Sequence, residues 1–339
     1  MPEWLYEAGI GEARAALVED GVILAAHIEP DDAGPLLDTV APARLIDKAT
    51  GLVRLEDGAE ALLTRPAGVT QGAALTVRIV REAIPEPGSR LKPARAVPTD
   101  EAPRPGPDLP ARLQTEARLP PPPRPLHPPP RRWGPSRDDP GGEATRAPSE
   151  QPEAGPPPAG GWEGVRGWSG AAFPVRTLLP HQPDLLEAAG WSELLEEART
   201  GDIPFPGGSL RMWPTPAMTL LDVDGGGPLD ALALAAAQAV GAAVRRHGIG
   251  GSIGIDFPTL AGKGARQAVA DALDAALAWD QGYERTAMNG FGFLQIVRPR
   301  PRASLPERLH ADPVGAKARA LLRLSTRSRG RISCAGGMI

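Results

Sequence analysis

The chain has 339 residues, with 37 Lys and Arg against 41 Asp and Glu, a net charge of −4, one cysteine, 40 glycines and 41 prolines. A single cysteine excludes an internal disulfide and a two-cysteine zinc site within the chain, and no apolar run approaches the ~20 residues of a membrane span. Net acidity gives no general attraction to nucleic acid, so any such affinity must come from local patches. The start, Met1-Pro2-Glu3-Trp4, lacks the basic and apolar regions of a signal peptide, so a cytoplasmic protein is expected.

Residues 13–18 and 22–25 read as a hairpin around Asp20-Gly21, a dipeptide suited to a type I′ turn. Strand candidates follow at 43–47, 51–55, 59–63 and 73–80, separated by Gly51, Asp57-Gly58 and Gly72. Short strands at this spacing predict a small barrel or sandwich, so residues 1–95 are expected to be all-β and OB-like. Periodicity then stops. Of the 41 prolines, 19 fall between 101 and 160, including Pro120–Pro123 and Pro128–Pro130. Residues 96–165 are therefore expected to be a disordered Pro-rich linker. Its arginines (Arg112, Arg118, Arg124, Arg131, Arg132, Arg137) read as solubilising charge rather than a polyanion site.

Order returns at 166–305, expected to be α/β. Residues 184–199 form an amphipathic helical segment with a break near Gly190, and strands at 208–213 and 217–223 flank a Pro-Thr-Pro turn. A helix at 228–247, a strand at 251–257, a helix at 262–280 and a strand at 290–297 complete the alternation. Residues 306–339 read as a basic C-terminal helix (about 313–325) and tail.

Two of these strands end in acids, at Asp222-Val223-Asp224 and at Asp256. A strand–helix–strand crossover makes parallel neighbours, which would bring Asp222 and Asp256 together at the carboxyl edge, where open α/β sheets place ligands. Carboxylates so placed suit magnesium, or manganese, and a phosphoryl-transfer reaction. The bland reading is a turn or helix cap. The Gly225–Gly227 run offers a third class, a nucleotide-binding loop, but it lacks a phosphate-loop pattern. From 298 to 331 ten Lys and Arg stand against Glu307 and Asp312, and Arg298, Arg300 and Arg302 are candidates for holding phosphates. His247 reads as a helix C-terminal residue and Cys334 as inert.

The blocks Pro206-Gly-Gly-Ser-Leu210, Thr219-Leu-Leu-Asp-Val-Asp224, Gly248-Ile-Gly-Gly-Ser-Ile-Gly-Ile-Asp-Phe257 and Gly290-Phe-Gly-Phe-Leu294 resemble the ribonuclease E/G family in order and spacing. The likeness covers about 110 residues, 200–305, with a weaker echo from Gly9-Ile-Gly-Glu12 to Ile28-Glu29. The resemblance implies a DNase I-like catalytic subdomain, an OB-fold RNA-binding domain, and magnesium on Asp222 and Asp256. Asp224 stands where the family has an asparagine that supports the metal site. The expected activity is metal-dependent endoribonuclease cleavage of single-stranded RNA in RNA processing or decay, with a non-catalytic RNA-binding relative as the alternative. The chain also departs from the family. The two-cysteine zinc link between subunits is absent, although an oligomer stays compatible with the sequence. The Pro-rich stretch replaces the segment that reads a 5′-monophosphate, and no Phe, Trp or Tyr lies between Tyr6 and Trp133.

Overall fold

A computed structural model describes residues 1–64, 68–86, 90–115, 173–280 and 282–335. The chain opens with an antiparallel meander, β1 (Glu3–Ala8), β2 (Glu12–Glu19) and β3 (Val22–Pro30). Asp20 and Gly21 have φ of 51° and 79°, and Glu19 pairs with Val22, as a two-residue type I′ turn requires.

A closed barrel follows, built from β4 (Val40–Asp47), β5 (Leu52–Leu55), β6 (Glu60–Leu63), β7 (Ala74–Arg81) and β10 (Ala94–Pro98). A side hairpin of β8 (Ile84–Glu86) and β9 (Arg90–Lys92) interrupts it between β7 and β10. The strand order is β10-β6-β5-β4-β7, and β10 runs parallel to β6 and antiparallel to β7. Leu45, Val53, Ala61, Val77, Ile79, Ala94 and Ala96 fill it. Alternating inward side chains of small and medium size suit so narrow a barrel.

The expected linker begins too early. Residues 94–98 form the closing strand, which Pro93 and Pro98 disguise in the sequence. Beyond it, α1 (Leu109–Thr115) buries Leu109 and Leu113 against Trp4, Ala15 and Leu17. Leu109 N donates to the Glu29 carboxylate (3.2 Å), and the Arg112 guanidinium is ion-paired with the same group. Arg112 is thus a buried structural residue. The rest of the expected linker, with Arg118, Arg124, Arg131, Arg132 and Arg137, lies outside the described residues.

β11 (Val175–Thr177) returns to pair in parallel with β1, completing the first sheet in the order β11-β1-β2-β3. The short helices α2 (Leu185–Ala188) and α3 (Trp191–Thr200) cover it through Leu186, Trp191, Leu194 and Ala198. A six-stranded mixed sheet follows, in the order β12 (Asp202–Phe205), β13 (Gly208–Pro214), β14 (Thr219–Gly225), β15 (Gly251–Asp256), β17 (Phe293–Arg298), β16 (Glu284–Arg285). Only β14 and β15 pair in parallel within it. Two helices, α4 (Leu229–Arg246) and α5 (Lys263–Ala276), pack on one face, and the alanine-rich α4 lets both lie close. The other face is open: Trp213, Leu220 and Val297 are exposed there. An all-β part with a barrel and an α/β part thus follow in the expected order.

The chain ends in α6 (Leu305–Ala311) and α7 (Pro313–Ala335). Among the described residues no helix is long and apolar enough to cross a membrane. The basic helix is longer than expected, and it faces inward. Arg319, Arg323 and Arg327 share a helix face at spacing four. Arg319 Nε reaches Glu12 at 2.8 Å, and Arg323 and Arg327 donate to Glu7 at 3.1 and 3.0 Å. Arg323 also forks onto both oxygens of Asp184 (2.6 and 2.7 Å). Val314, Leu321, Leu322 and Leu324 face solvent instead.

Two expected outcomes follow from these buried charges. Glu7→Ala leaves two buried guanidinium groups short of an anion, and its urea midpoint should report a loss of about 3–5 kcal/mol. His247 is fully buried, with Nε2 3.2 Å from Glu197. Burial, aided by Arg246, holds its pKa below the usual 6.5 despite the opposing pull of Glu197. The unfolded chain therefore takes up a proton that the folded one refuses. This part of the stability is full above the unfolded pKa and is lost as pH falls below it, up to about 1.4 kcal/mol at pH 5.5. Urea titrations at pH 7.5 and 5.5 should show the loss, and His247→Gln should flatten it.

Candidate active site

The alternation of β14 sorts its side chains. Leu221 and Val223 point into the helix layer, while Leu220, Asp222 and Asp224 lie on the open face. In β15, Ile253 and Ile255 are buried and Asp256 is on the open face. Parallel register sets Asp222 opposite Asp256, so the two carboxylates occupy neighbouring strands about 5 Å apart at Cα. Asp224 follows one pleat on, about 7 Å along the strand, opposite Ser209. One row across the sheet reads Asp202, Arg211, Asp222, Asp256, Phe293. Arg211 is half-exposed, its Nε 3.7 Å from Asp202, and it is the cation nearest the pair in this row.

Two helices begin just beyond these strand ends. α4 starts after Gly225–Gly227, and α5 starts with Lys263 after a six-residue loop. Neither Pro228 nor Gly262, their N-caps, makes a side-chain capping bond. Their first N–H groups and positive dipole ends therefore face the same edge. In the Gly225–Gly227 loop the Gly226 N–H is directed at Gly207 O (3.4 Å).

Among the described residues no three His, Cys, Asp or Glu side chains converge as a metal cage. Asp224 therefore stands beside the pair rather than in a closed triad. Two adjacent, solvent-facing carboxylates suit a cation that keeps several waters and is held by one or two carboxylates plus substrate phosphate, which is the habit of magnesium. The donor set fits.

A third strand end shapes this edge, and the sequence reading passed over it. In the turn before β17, Asn289 Oδ1 accepts from Phe291 N (2.9 Å) and Phe293 N (3.1 Å). Phe257 N donates to Gly292 O (3.2 Å), and Thr259 Oγ1 donates to Phe291 O (3.2 Å). Gly292 has φ of +97°, and a Cβ there would stand 2.1 Å from Phe257 O. The turn is thus locked onto the residues that follow Asp256. An Asn two residues before a bulky residue and three before a glycine was the available signal.

The three candidate arginines are elsewhere. Arg298 pairs with Gly251, at the opposite end of β15 from Asp256, about 17 Å along the strand. It also belongs to the helix-facing set. Its Nε donates to Asp280 (2.6 Å), its Nη1 donates to Ile249 O (2.5 Å), and its guanidinium lies 5.0 Å from the Trp279 ring centroid. Arg300 is ion-paired with Glu307, and Arg302 lies 3.9 Å from Glu82, which also meets Arg308 at 3.6 Å. Glu307 lies seven residues from Arg300 and within the local charge count, whereas Asp280 and Glu82 are remote in sequence and outside it. Cys334 falls in the last turns of α7, where only its backbone is described.

Arg298→Ala should leave the half-buried Asp280 unpaired and lower stability by about 2–4 kcal/mol, read from thermal or urea unfolding. Arg211→Ala, at an exposed position, should stay within about 0.5 kcal/mol of wild type.

Comparison with known proteins agrees with the geometry. No curated protein matches the chain. Residues 174–301 match the family model described as the Ribonuclease E/G family, a span that starts at β11 and holds the whole six-stranded sheet with both aspartates. The chain is thus similar to the ribonuclease E/G family through residues 174–301.

Proposed function

We propose that the protein is a metal-dependent endoribonuclease that hydrolyses phosphodiester bonds of single-stranded RNA at the carboxyl edge of the six-stranded sheet. The observation that carries this reading is the register of Asp222 with Asp256 across the parallel pair, at the edge where α4 and α5 begin. The likeness to the ribonuclease E/G family supports the RNA substrate and the hydrolase class.

In this reading Asp222 and Asp256 hold magnesium, and Asp224 orients the attacking water or joins the ligands. When bound, the metal supplies Lewis-acid polarisation and charge neutralisation at the phosphate. The substrate phosphate is met by Arg211, Lys263 and the N–H groups opening α4 and α5. Water attacks phosphorus, the bond to one ester oxygen breaks, and the departing oxygen takes up a proton. We assign the sheet and its two helices to the DNase I type. The barrel, with five strands closed by one parallel pair, we read as an OB-type module that guides the RNA strand. Arg298, Arg300 and Arg302 brace the opposite end of the sheet and act on RNA at most through that support.

Asp222→Asn and Asp256→Asn should each lower magnesium-dependent cleavage of a labelled single-stranded RNA roughly a hundredfold or more, with unfolding midpoints close to wild type. Wild-type cleavage that continues unchanged in excess chelator would falsify the metal assignment. Wild-type protein that binds RNA but does not cut it with magnesium present would mark the chain as a binding relative.

A further inference from the structure

We propose that Phe291 is a base-stacking residue, which holds one nucleotide of a single-stranded RNA beside the Asp222–Asp256 pair; this rests on the ribonuclease reading above. Phe291 is 84% exposed, more than any other aromatic among the described residues, and its ring covers no part of the core. Nothing in folding asks for a phenyl ring there. The backbone under it is nonetheless tightly held, by two bonds from Asn289 Oδ1, one from Thr259, and the close seat of Gly292 on Phe257. A fixed backbone presenting an apolar ring to water is the arrangement that stacks a base with little ordering loss.

The position is equally specific. Phe293 is the register partner of Asp256, and Phe291 lies two residues before it, in the turn that leads into β17 at that partner. A strand whose phosphate rests at Asp222 and Asp256 would carry a neighbouring base to that ring. The pair itself repels phosphate until a cation is present, and the buried arginines of the opposite end cannot reach this edge. Arg211 and Lys263 answer the phosphates at this edge, and a stacked base would add an uncharged contact to theirs. The barrel offers no stacking surface, because the chain has no Phe, Trp or Tyr between Tyr6 and Trp133. Trp213, the other exposed aromatic, is half-covered and sits in the row of Leu220 on the sheet itself. Among the described residues Phe291 is the aromatic that stands clear of the packing.

The test uses the full chain with Phe291→Ala, Phe291→Leu and Phe291→Trp. Affinity is read by fluorescence anisotropy without magnesium, and kcat/KM with it. The substrates are a single-stranded oligoribonucleotide and the same strand with an abasic residue placed at successive positions. Stacking predicts that Ala and Leu lose roughly five- to a hundredfold in both readouts while Trp retains wild-type values. At one abasic position wild type should fall to the level of Phe291→Ala, and Phe291→Ala should lose nothing further. Unfolding midpoints should be the same for all four proteins, which a structural role for the ring would not allow. Ala and wild type agreeing within twofold on every strand, while wild type cuts RNA, overturns this inference alone. Wild type that neither binds nor cuts RNA overturns the proposed function, and the stacking role with it.

Discussion

A strand–helix–strand crossover has one geometric consequence that organises the whole C-terminal part. β14 and β15 must run in the same direction, so both carboxyl ends, and the amino ends of both helices that follow, arrive at one edge. Negative side chains and positive helix ends are thereby gathered at one edge of the sheet. The antiparallel neighbours β13 and β17 add their own contributions to the same row, a guanidinium on one side and a phenyl ring on the other. Every side chain in the row lies on the open face because the opposite parity is taken up by the packing of α4 and α5.

Charge elsewhere in the molecule serves the frame. The arginines of α7 and the 298–302 segment lie against Glu7, Glu12, Asp184, Asp280, Glu307 and Glu82. Buried pairs of this kind add little net stability over apolar packing, yet breaking one leaves an uncompensated charge. They therefore fix position more than they add strength. α7 is the clearest case: its arginine face selects one rotation about the helix axis, and the leucines are turned outward as a result.

The elements with strong periodicity were legible. Alanine-rich α4 with Gly248 after it, the alternating β14 and β15, and the Asp20-Gly21 hairpin could be placed from local pattern alone. So could the meeting of Asp222 and Asp256, because handed crossover rules turn order into proximity. What escaped was non-local. β10 hides between two prolines and is a strand only because β6 and β7 leave a gap for it. α1 lies in proline-rich chain and is recognisable only by Leu109 and Leu113, whose partners are near residue 15. The arginines showed their sign in the sequence but not their face or their acids. The turn at Asn289 showed only its local half, the Asn and Gly292, while its ties to Phe257 and Thr259 run to residues some thirty positions away.

The barrel is an insertion within the first sheet. β3 leads out to it, and the edge partner of β1 does not arrive until Val175, opposite Trp4. During synthesis the barrel, whose strand pairings all fall between residues 40 and 98, can close early as a unit. The opening meander cannot, because its outer strand and apolar face wait for β11, α2, α3 and finally Leu305. Glu7 waits longest, for Arg323 and Arg327 near the chain end. Closing such long loops is slow relative to local structure, so the opening meander, made before its partners, is among the last elements to reach its final state. Until then Glu7, on the unpaired strand, has only its register partner Arg14 beside it, which is itself ion-paired with Glu12, and a charge left short of partners on an open edge hinders pairing with the wrong chain.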